Sequence, residues 1–549
     1  MYKASETTKQ ADIWNDPGHG MGKRTKAIFD DVEGWHNRFR REVTNRVNED
    51  IFKPLFNEKT GAPNSPIRVL VAMMAIKEGL GISDEQLYEQ ARFNALVRSA
   101  LGLINSDEEV PTESTYYLFR QRISEYAEHN GKNLLEEAFI GITKDQCQEY
   151  QVSGKRIRMD SKLLGSNIGI YNRYGVIHET IRKYCALNEI KADEAKEAAL
   201  FSVLKEKAEN VTYRNTKEEV TRLLEEVGKV MHRLLIADGA EGNKEYGLLK
   251  RVFEEHYELL CGPGGGKKKR VRVREKSEIA QKNSIQSPHD EDSEYRNKGG
   301  NKVNGYSVNV VETCDEGNVN LIVDVRTEGS RISDIDYFQD GLEKAQAVVV
   351  DKIKEAYTDG GYHSPDNQDY CRENKIEWVM RGIGGPVPKY NLSFDEEGNM
   401  VVHEIESGER IDVKRVKSRN PETPERWAIK DDKNRGKCFE RKDVETSELR
   451  KRLREIPKER QDIRNNVEAT IFQVGYHYRA DKSRYRGLIK HRLWAISRCL
   501  WVNFRRIQLW NIQQMENSAN SESVIPGGSL VYNFFEIFCS NLGLAFVQP

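Results

Sequence analysis

The chain has 549 residues, with 86 Lys+Arg against 87 Asp+Glu, a charged fraction of 32% and a hydrophobic fraction of 38%. That length and composition allow several domains and a sizeable core, and exclude global disorder, collagen-like repeats and disulfide scaffolds. They also exclude a uniformly basic nucleic-acid binder, so any site for a polyanion must come from local segregation of charge.

Residues 1–50 are polar, with a helix predicted near 29–47 and no apolar leader segment. The eight cysteines are scattered without a C-x-x-C pair, which reads as reduced thiols and a cytoplasmic protein. Between 51 and 135 the signals are helical. Ser65-Pro66 opens an apolar run ending at Leu80-Gly81, and Ser83 with Gln86 forms a capping box. Ser114 is the predicted cap of a third helix. Short capped helices with tight turns suit either a helix-turn-helix-like DNA-binding domain or a plain bundle.

The period changes at 149–160, where 150–152 and 156–160 read as strands. A helical insertion over about 170–275 follows, with an apolar stripe through Val220, Leu224, Val227, Met231 and Leu234 that predicts a hairpin or short coiled coil. Cys261–Gly266 reads as a linker into a basic run. Neither GPGGGK at 262–267 nor GHGMGK at 18–23 has phosphate-loop spacing.

Strands return with 305–311 and 321–325 around a turn at 315–318, forming a hairpin. A helix capped by Ser333, a strand ending in Asp359-Gly360-Gly361, a helix near 365–374 and a strand at 377–380 come next. A β-rich insertion spans about 385–440, helix runs from about 444 to 515, and residues 511–549 form a tail. Its apolar part, 531–547, contains Glu536 and Asn541 and is too short to cross a bilayer, so no membrane partner is expected.

Three acids stand out by position: Asp160 at a strand end, Asp359 at another, and Glu468 in a helix among basic residues. Their order is that of a ribonuclease-H-like α/β fold, in which two strand carboxylates and a helix carboxylate converge on divalent ions. At these residues the chain resembles the DDE transposases of bacterial insertion sequences. Met159-Asp160-Ser161 is similar to the first-Asp motif and Asp359-Gly360-Gly361-Tyr362-His363-Ser364 to the second. Ser287–Asp290, Lys298 and Gly305-Tyr306 resemble the start of the second strand. Arg464 and Glu468 fit the Arg-x-x-x-Glu part of the Tyr-Arg-Glu-Lys signature, whose Tyr and Lys positions are Gln461 and Gly475 here.

The resemblance spans roughly 50–510. It implies a ribonuclease-H-like catalytic domain over 149–510 behind an all-α DNA-binding domain at 51–135. It also implies Asp160, Asp359 and Glu468 as catalytic metal ligands for two Mg²⁺ or Mn²⁺ ions, with Arg464 on a phosphate. The implied partners are double-stranded DNA, as terminal inverted repeats and target, and a second copy in a homodimer beside the nucleoid. The alternatives are a ribonuclease-H-like nuclease without strand transfer and an inactive DNA-binding derivative.

Local charge points the same way. Residues 478–506 carry nine Lys/Arg against Asp481, interleaved with Tyr478, Tyr485, Trp494 and Trp501. Residues 267–276 carry seven against Glu275. The expected DNA contacts are Arg479, Lys482, Arg484 and Arg486 in the first run, with Lys267, Lys268, Lys269 and Arg270 in the second. Arg479 and Lys482 are also the candidates to replace the missing signature lysine.

Overall fold

The computed structural model describes every residue except 6–14, 194–196, 238–242, 262–268, 280–283, 384–387, 418–424, 431–435, 476–477, 479–480 and 523–549. The linker at 262–266, the basic residues Lys267, Lys268 and Arg479, and the apolar part of the tail therefore lie outside the described residues. Two compact units are present, Met1–Phe504 and Arg505–Pro549. No described helix is long and apolar enough to cross a membrane.

The N-terminal helices are α1 (Lys23–Phe29), α2 (Trp35–Glu42), α3 (Ile67–Leu80), α4 (Asp84–Phe93), α5 (Ala95–Ala100), α6 (Glu113–Asn130) and α7 (Leu134–Glu149). The helix expected across 29–47 is the shorter α2, followed by 3-10 turns. The Ser83–Gln86 capping box forms as its spacing requires. The third helix starts earlier than expected because the Thr112 hydroxyl, not Ser114, accepts the Thr115 N–H. In α3 every residue from Ile67 to Gly79 is buried, so no face of this helix is open to a DNA groove.

These helices share their core with the rest of the unit. Phe39, Met73, Leu87, Phe119 and Phe139 pack in one cluster with Leu164, Val308 and Ile322 of the sheet and Leu493, Cys499 and Phe504 near the C-terminus. The approach is tight at Gly79, where a Cβ would lie 2.1 Å from the Trp501 ring.

Strand β1 is Arg156–Gly165. The strand expected at 150–152 does not form, because Tyr150 caps α7 and Gln151 turns the chain with φ 50°. The insertion contains α8 (Arg173–Leu187), α9 (Ala198–Lys205), α10 (Ala208–Arg214), α11 (Lys217–Ile236) and α12 (Lys244–His256). A hairpin of β2 (Tyr257–Cys261) and β3 (Lys269–Val273) follows. The insertion is thus a small domain with its own core around Ile181, Val227, Met231, Leu249 and Phe253, not a two-helix coil. The α11 stripe is wide enough to meet α8, α9 and α12 at once.

The main sheet adds β4 (Glu294–Lys298), β5 (Asn301–Thr313), β6 (Ile322–Gly329), β7 (Glu355–Thr358) and β8 (Glu377–Met380). Helix α13 (Ile335–Val348) joins β6 to β7, and α14 (Pro365–Asn374) joins β7 to β8. The order is β4-β5-β1-β7-β8, with β6 also on β5. Strand β5 is antiparallel to β1, β4 and β6, whereas β1, β7 and β8 are parallel. The fold is α/β with an N-terminal helical region.

The segment from Tyr390 to Glu440 is β-rich as expected, with two three-stranded antiparallel sheets sharing a core of Tyr390, Leu392, Trp427 and Phe439. The helical end is broken into α15 (Arg441–Glu455), α16 (Lys458–Asp462), α17 (Asn465–Gly475) and α18 (Leu488–Glu522). Pro457 supplies one break by removing a backbone donor.

Candidate active site

Strand pairing sets two of the three acids. Parallel register places Arg156, Ile157 and Arg158 beside Glu355, Ala356 and Tyr357. Continuing two residues along both strands brings Asp160 level with Asp359, on neighbours about 4.8 Å apart. Asp359 directly follows β7, and its Oδ1 accepts the Gly361 N–H at 2.8 Å, capping a single 3-10 turn.

Helix α17 lies along β1 on the face carrying Arg158, Asp160 and Lys162, which alternate outward by the strand period. Its anchor is buried. Arg158 donates from Nη1 to the Ile463 carbonyl at 3.0 Å and from Nε to Glu312 Oε1 at 2.5 Å. The Thr470 hydroxyl of α17 donates to Glu312 Oε2 at 2.7 Å, and Glu312 is fully buried. Nothing in a linear pattern flags this link, since its members are far apart in sequence.

That anchor delivers Arg464 and Glu468. Arg464 Nη2 lies 3.3 Å from Asp160 Oδ2, and Nη1 lies 3.4 Å from Glu468 Oε1, so one guanidinium bridges the two acids. Asp160 is 14% exposed and Glu468 60%. Burial pushes the Asp160 carboxyl up to about 6, reinforced by Asp359 and Glu468, against the pull of Arg464 and the Ser161 N–H. Tyr362 reports the same concentration of charge: burial first, then Asp160, Asp334 and Asp359, push its phenol well above its ordinary value.

Asp334 is the acid that sequence reasoning missed. It precedes α13 in the position expected of Ser333 and is 7% exposed. Its Oδ1 accepts the Ser161 hydroxyl at 2.5 Å, and Lys298 Nζ lies 3.6 Å from Oδ2. A Cβ on Gly361 would sit 2.9 Å from Asp359 Oδ1 and 3.1 Å from Asp334 Oδ2, so these carboxyls face each other across that glycine. The turn preceding a helix after strand β6 was the signal available for it.

The donor set is all hard oxygen, which suits Mg²⁺ or Mn²⁺. Burial holds the Asp160 carboxyl at about 6 even with Arg464 beside it, so further positive charge would be accommodated there, and exposed Glu468 has freedom to turn; the residues fit such ions. Among the described residues, no three His, Cys, Asp or Glu side chains already form a metal cage, because Arg464 stands between Asp160 and Glu468.

The basic runs separate into surface and interior residues. Lys482 and Arg486 are exposed, with Lys482 Nζ on the Ile168 carbonyl at 2.8 Å and Arg486 Nε on that of Asn167 at 2.7 Å. Arg484 is half-buried and donates to the Ile82 carbonyl at 2.8 Å, which makes it a link to the N-terminal helices. Arg492 holds Glu328 with both Nη2 contacts at 2.9 Å, and Arg498 donates to the carbonyls of Glu78 and Gly79. The interleaved aromatic residues Tyr478, Tyr485, Trp494 and Trp501 pack into the core, and do not form a stacking surface for bases. In the second run Lys269 begins β3 and Arg270 is exposed, whereas Arg272 is paired with Glu258 and Glu278.

Compared with protein-family models, residues 28–122 match one described as a transposase domain, and residues 268–504 match one described as a transposase DDE domain. The second match takes in Asp359 and Glu468, whereas Asp160 lies between the two matches, upstream of the helical insertion. No curated protein and no solved structure matches the chain.

Proposed function

The chain belongs to the DDE transposases of insertion sequences, and on that premise we propose that it cleaves the ends of its element and joins them to target DNA. The observation that carries this reading is the meeting of Asp160, midway along β1, with Asp359, just past the end of the neighbouring parallel β7, and Glu468 tied to Asp160 through Arg464. Strand order and acid placement together support a ribonuclease-H-like catalytic domain interrupted after β1 by the helical insertion.

Asp160, Asp359 and Glu468 would hold two Mg²⁺ or Mn²⁺ ions, which supply activation of the attacking oxygen and neutralisation of charge at the leaving oxygen. The protein's own part is positioning. The Arg158–Glu312–Thr470 link holds α17 against β1, and the Gly361 N–H orients Asp359. Arg464 bridges the two acids, and turning from the carboxylates would place its planar fork on a DNA phosphate. The exposed cations Lys482, Arg486 and Arg270 offer salt-sensitive, sequence-independent contacts along the DNA. Recognition of terminal repeats falls to the N-terminal helical region or the insertion. Pairing two ends calls for a homodimer working beside the nucleoid in the cytoplasm.

The test is a strand-transfer assay with Mg²⁺, using a duplex that ends at the element's 3′ terminus and a supercoiled target plasmid. Joined products support the reading. Nicking without joining favours the nuclease alternative, and binding without either favours the inactive derivative.

A further inference from the structure

We propose that Lys162, on β1, grips the DNA phosphate beside the scissile bond, with Asp481 holding its ammonium in place until DNA arrives. The inference rests on the transposase reading and adds to it a residue that no sequence motif marks.

Placement carries the argument. Lys162 follows Asp160 by two residues and so shares its face of β1. On that face α17 runs in the same direction as the strand: Arg158 meets Ile463, Asp160 meets Arg464, and Lys162 reaches Gly475. The Lys162 ammonium lies 3.7 Å from the point a Cβ on Gly475 would take. Gly475 is seven residues after Glu468, two helical turns further along the same face of α17. The missing side chain at 475 thus leaves room, and the ammonium from the strand comes up to it, two residues along β1 from Asp160. A lysine is absent from the helix where the resemblance had implied one, and a lysine from the strand stands in its place.

The counter-ion fits a removable placeholder. Lys162 Nζ is 2.5 Å from Asp481 Oδ1, with 29% exposure for the lysine and 48% for the aspartate. Asp481 adopts the left-handed φ of 52°, a conformation that costs a non-glycine residue some strain. It is carried by a segment laid along the end of β1, where Gly165 bridges Lys482 and the Ser483 N–H meets the Gly165 carbonyl at 2.8 Å. A half-exposed surface ion pair contributes little to stability, so a phosphate can replace the carboxylate at small cost. The neighbouring cations are held differently. Lys482 and Arg486 donate to neutral main-chain carbonyls and keep their charge for the DNA backbone, whereas Lys162 has a carboxylate to exchange for a phosphate.

The experiment compares full-length wild type with Lys162→Gln, Lys162→Arg, Asp481→Asn, Asp160→Asn and the double variant Lys162→Gln/Gly475→Lys. Each is assayed for binding to a duplex spanning the element end across a salt series, and for cleavage of that duplex with Mg²⁺. A fold check by circular dichroism accompanies each variant. Loss of one phosphate contact lowers the slope of log K against log salt by about 0.9. Lys162→Gln is expected to show that loss together with cleavage at least about tenfold lower. Lys162→Arg should keep the slope, Asp481→Asn should tighten binding, and lysine at 475 should restore part of the cleavage. Unchanged slope and cleavage in folded Lys162→Gln, with cleavage abolished in Asp160→Asn, overturn the assignment of Lys162 and leave the transposase reading standing. Cleavage that survives Asp160→Asn overturns the reading beneath it.

Discussion

Replacing Arg158 by methionine removes the charge partner of a carboxylate that has no exposure to water. Glu312 is 0% exposed and Arg158 7%, with Nε–Oε1 at 2.5 Å, while Glu312 Oε2 accepts the Thr470 hydroxyl of α17. A surface ion pair of this length would contribute at most about 1 kcal/mol. Breaking a buried one leaves an uncompensated charge and costs about 3–5 kcal/mol. The cost falls on a defined element, because the same carboxylate ties α17 to the sheet. Chemical denaturation should register the loss, and hydrogen exchange should locate it at 465–475, with protection lowered by about two powers of ten for 3 kcal/mol. Cleavage should fall as well, since Glu468 rides on that helix. The double variant Arg158→Met/Glu312→Leu should recover most of the stability by removing the stranded charge. A single-variant loss below about 1 kcal/mol, with exchange at 465–475 unchanged, would refute the anchor.

Two further outcomes follow from the site. Gly361→Ala places a methyl 2.9 Å from Asp359 Oδ1 and 3.1 Å from Asp334 Oδ2; cleavage should drop about tenfold while global stability changes by about 1 kcal/mol or less, and wild-type cleavage would contradict the crowding. Asp160 is raised from 3.8 to about 6, so without metal the folded chain keeps a proton between pH 4 and 6 that the unfolded chain has lost. That stability is full below pH 4 and lost as pH rises to 6; Asp160→Asn should therefore match wild type near pH 4 and exceed it by up to about 3 kcal/mol above pH 6. A pH-independent difference in denaturation midpoint between the two proteins would remove the basis for the shift.

The layout of the candidate site was legible because it depends on local rules. A strand's period, a Gly-Gly turn after Asp359 and an Arg-x-x-x-Glu spacing are all visible within a few residues; Glu468 lies on a helix as expected, Asp359 directly follows β7, and Asp160 sits midway along β1 and not at its end, because pairing with β5 carries the strand on to Gly165. What escaped depends on register and packing between distant segments. Asp334 enters only once α13 is packed on β5 and β6 and its preceding turn meets Ser161, and Lys162 gains meaning only from the passage of Gly475 beside it. The linear charge count overstated the basic surface for the same reason. Arg498 is spent on carbonyls inside the fold and Arg272 and Arg492 on partly exposed acids, and the aromatic residues between the cations belong to the core. The hydrophobic alternation of Tyr150–Val152 misled where a helix cap and a left-handed Gln151 settled the backbone instead.

The central claim, that Asp160, Asp359 and Glu468 form one metal-dependent phosphoryl-transfer site, is tested most directly by single variants Asp160→Asn, Asp359→Asn and Glu468→Gln assayed with Mg²⁺ on a duplex spanning the element end. Each should abolish cleavage while retaining DNA binding within a few-fold of wild type. Cleavage persisting in any one of the three, with the protein folded and bound to DNA, would contradict the account.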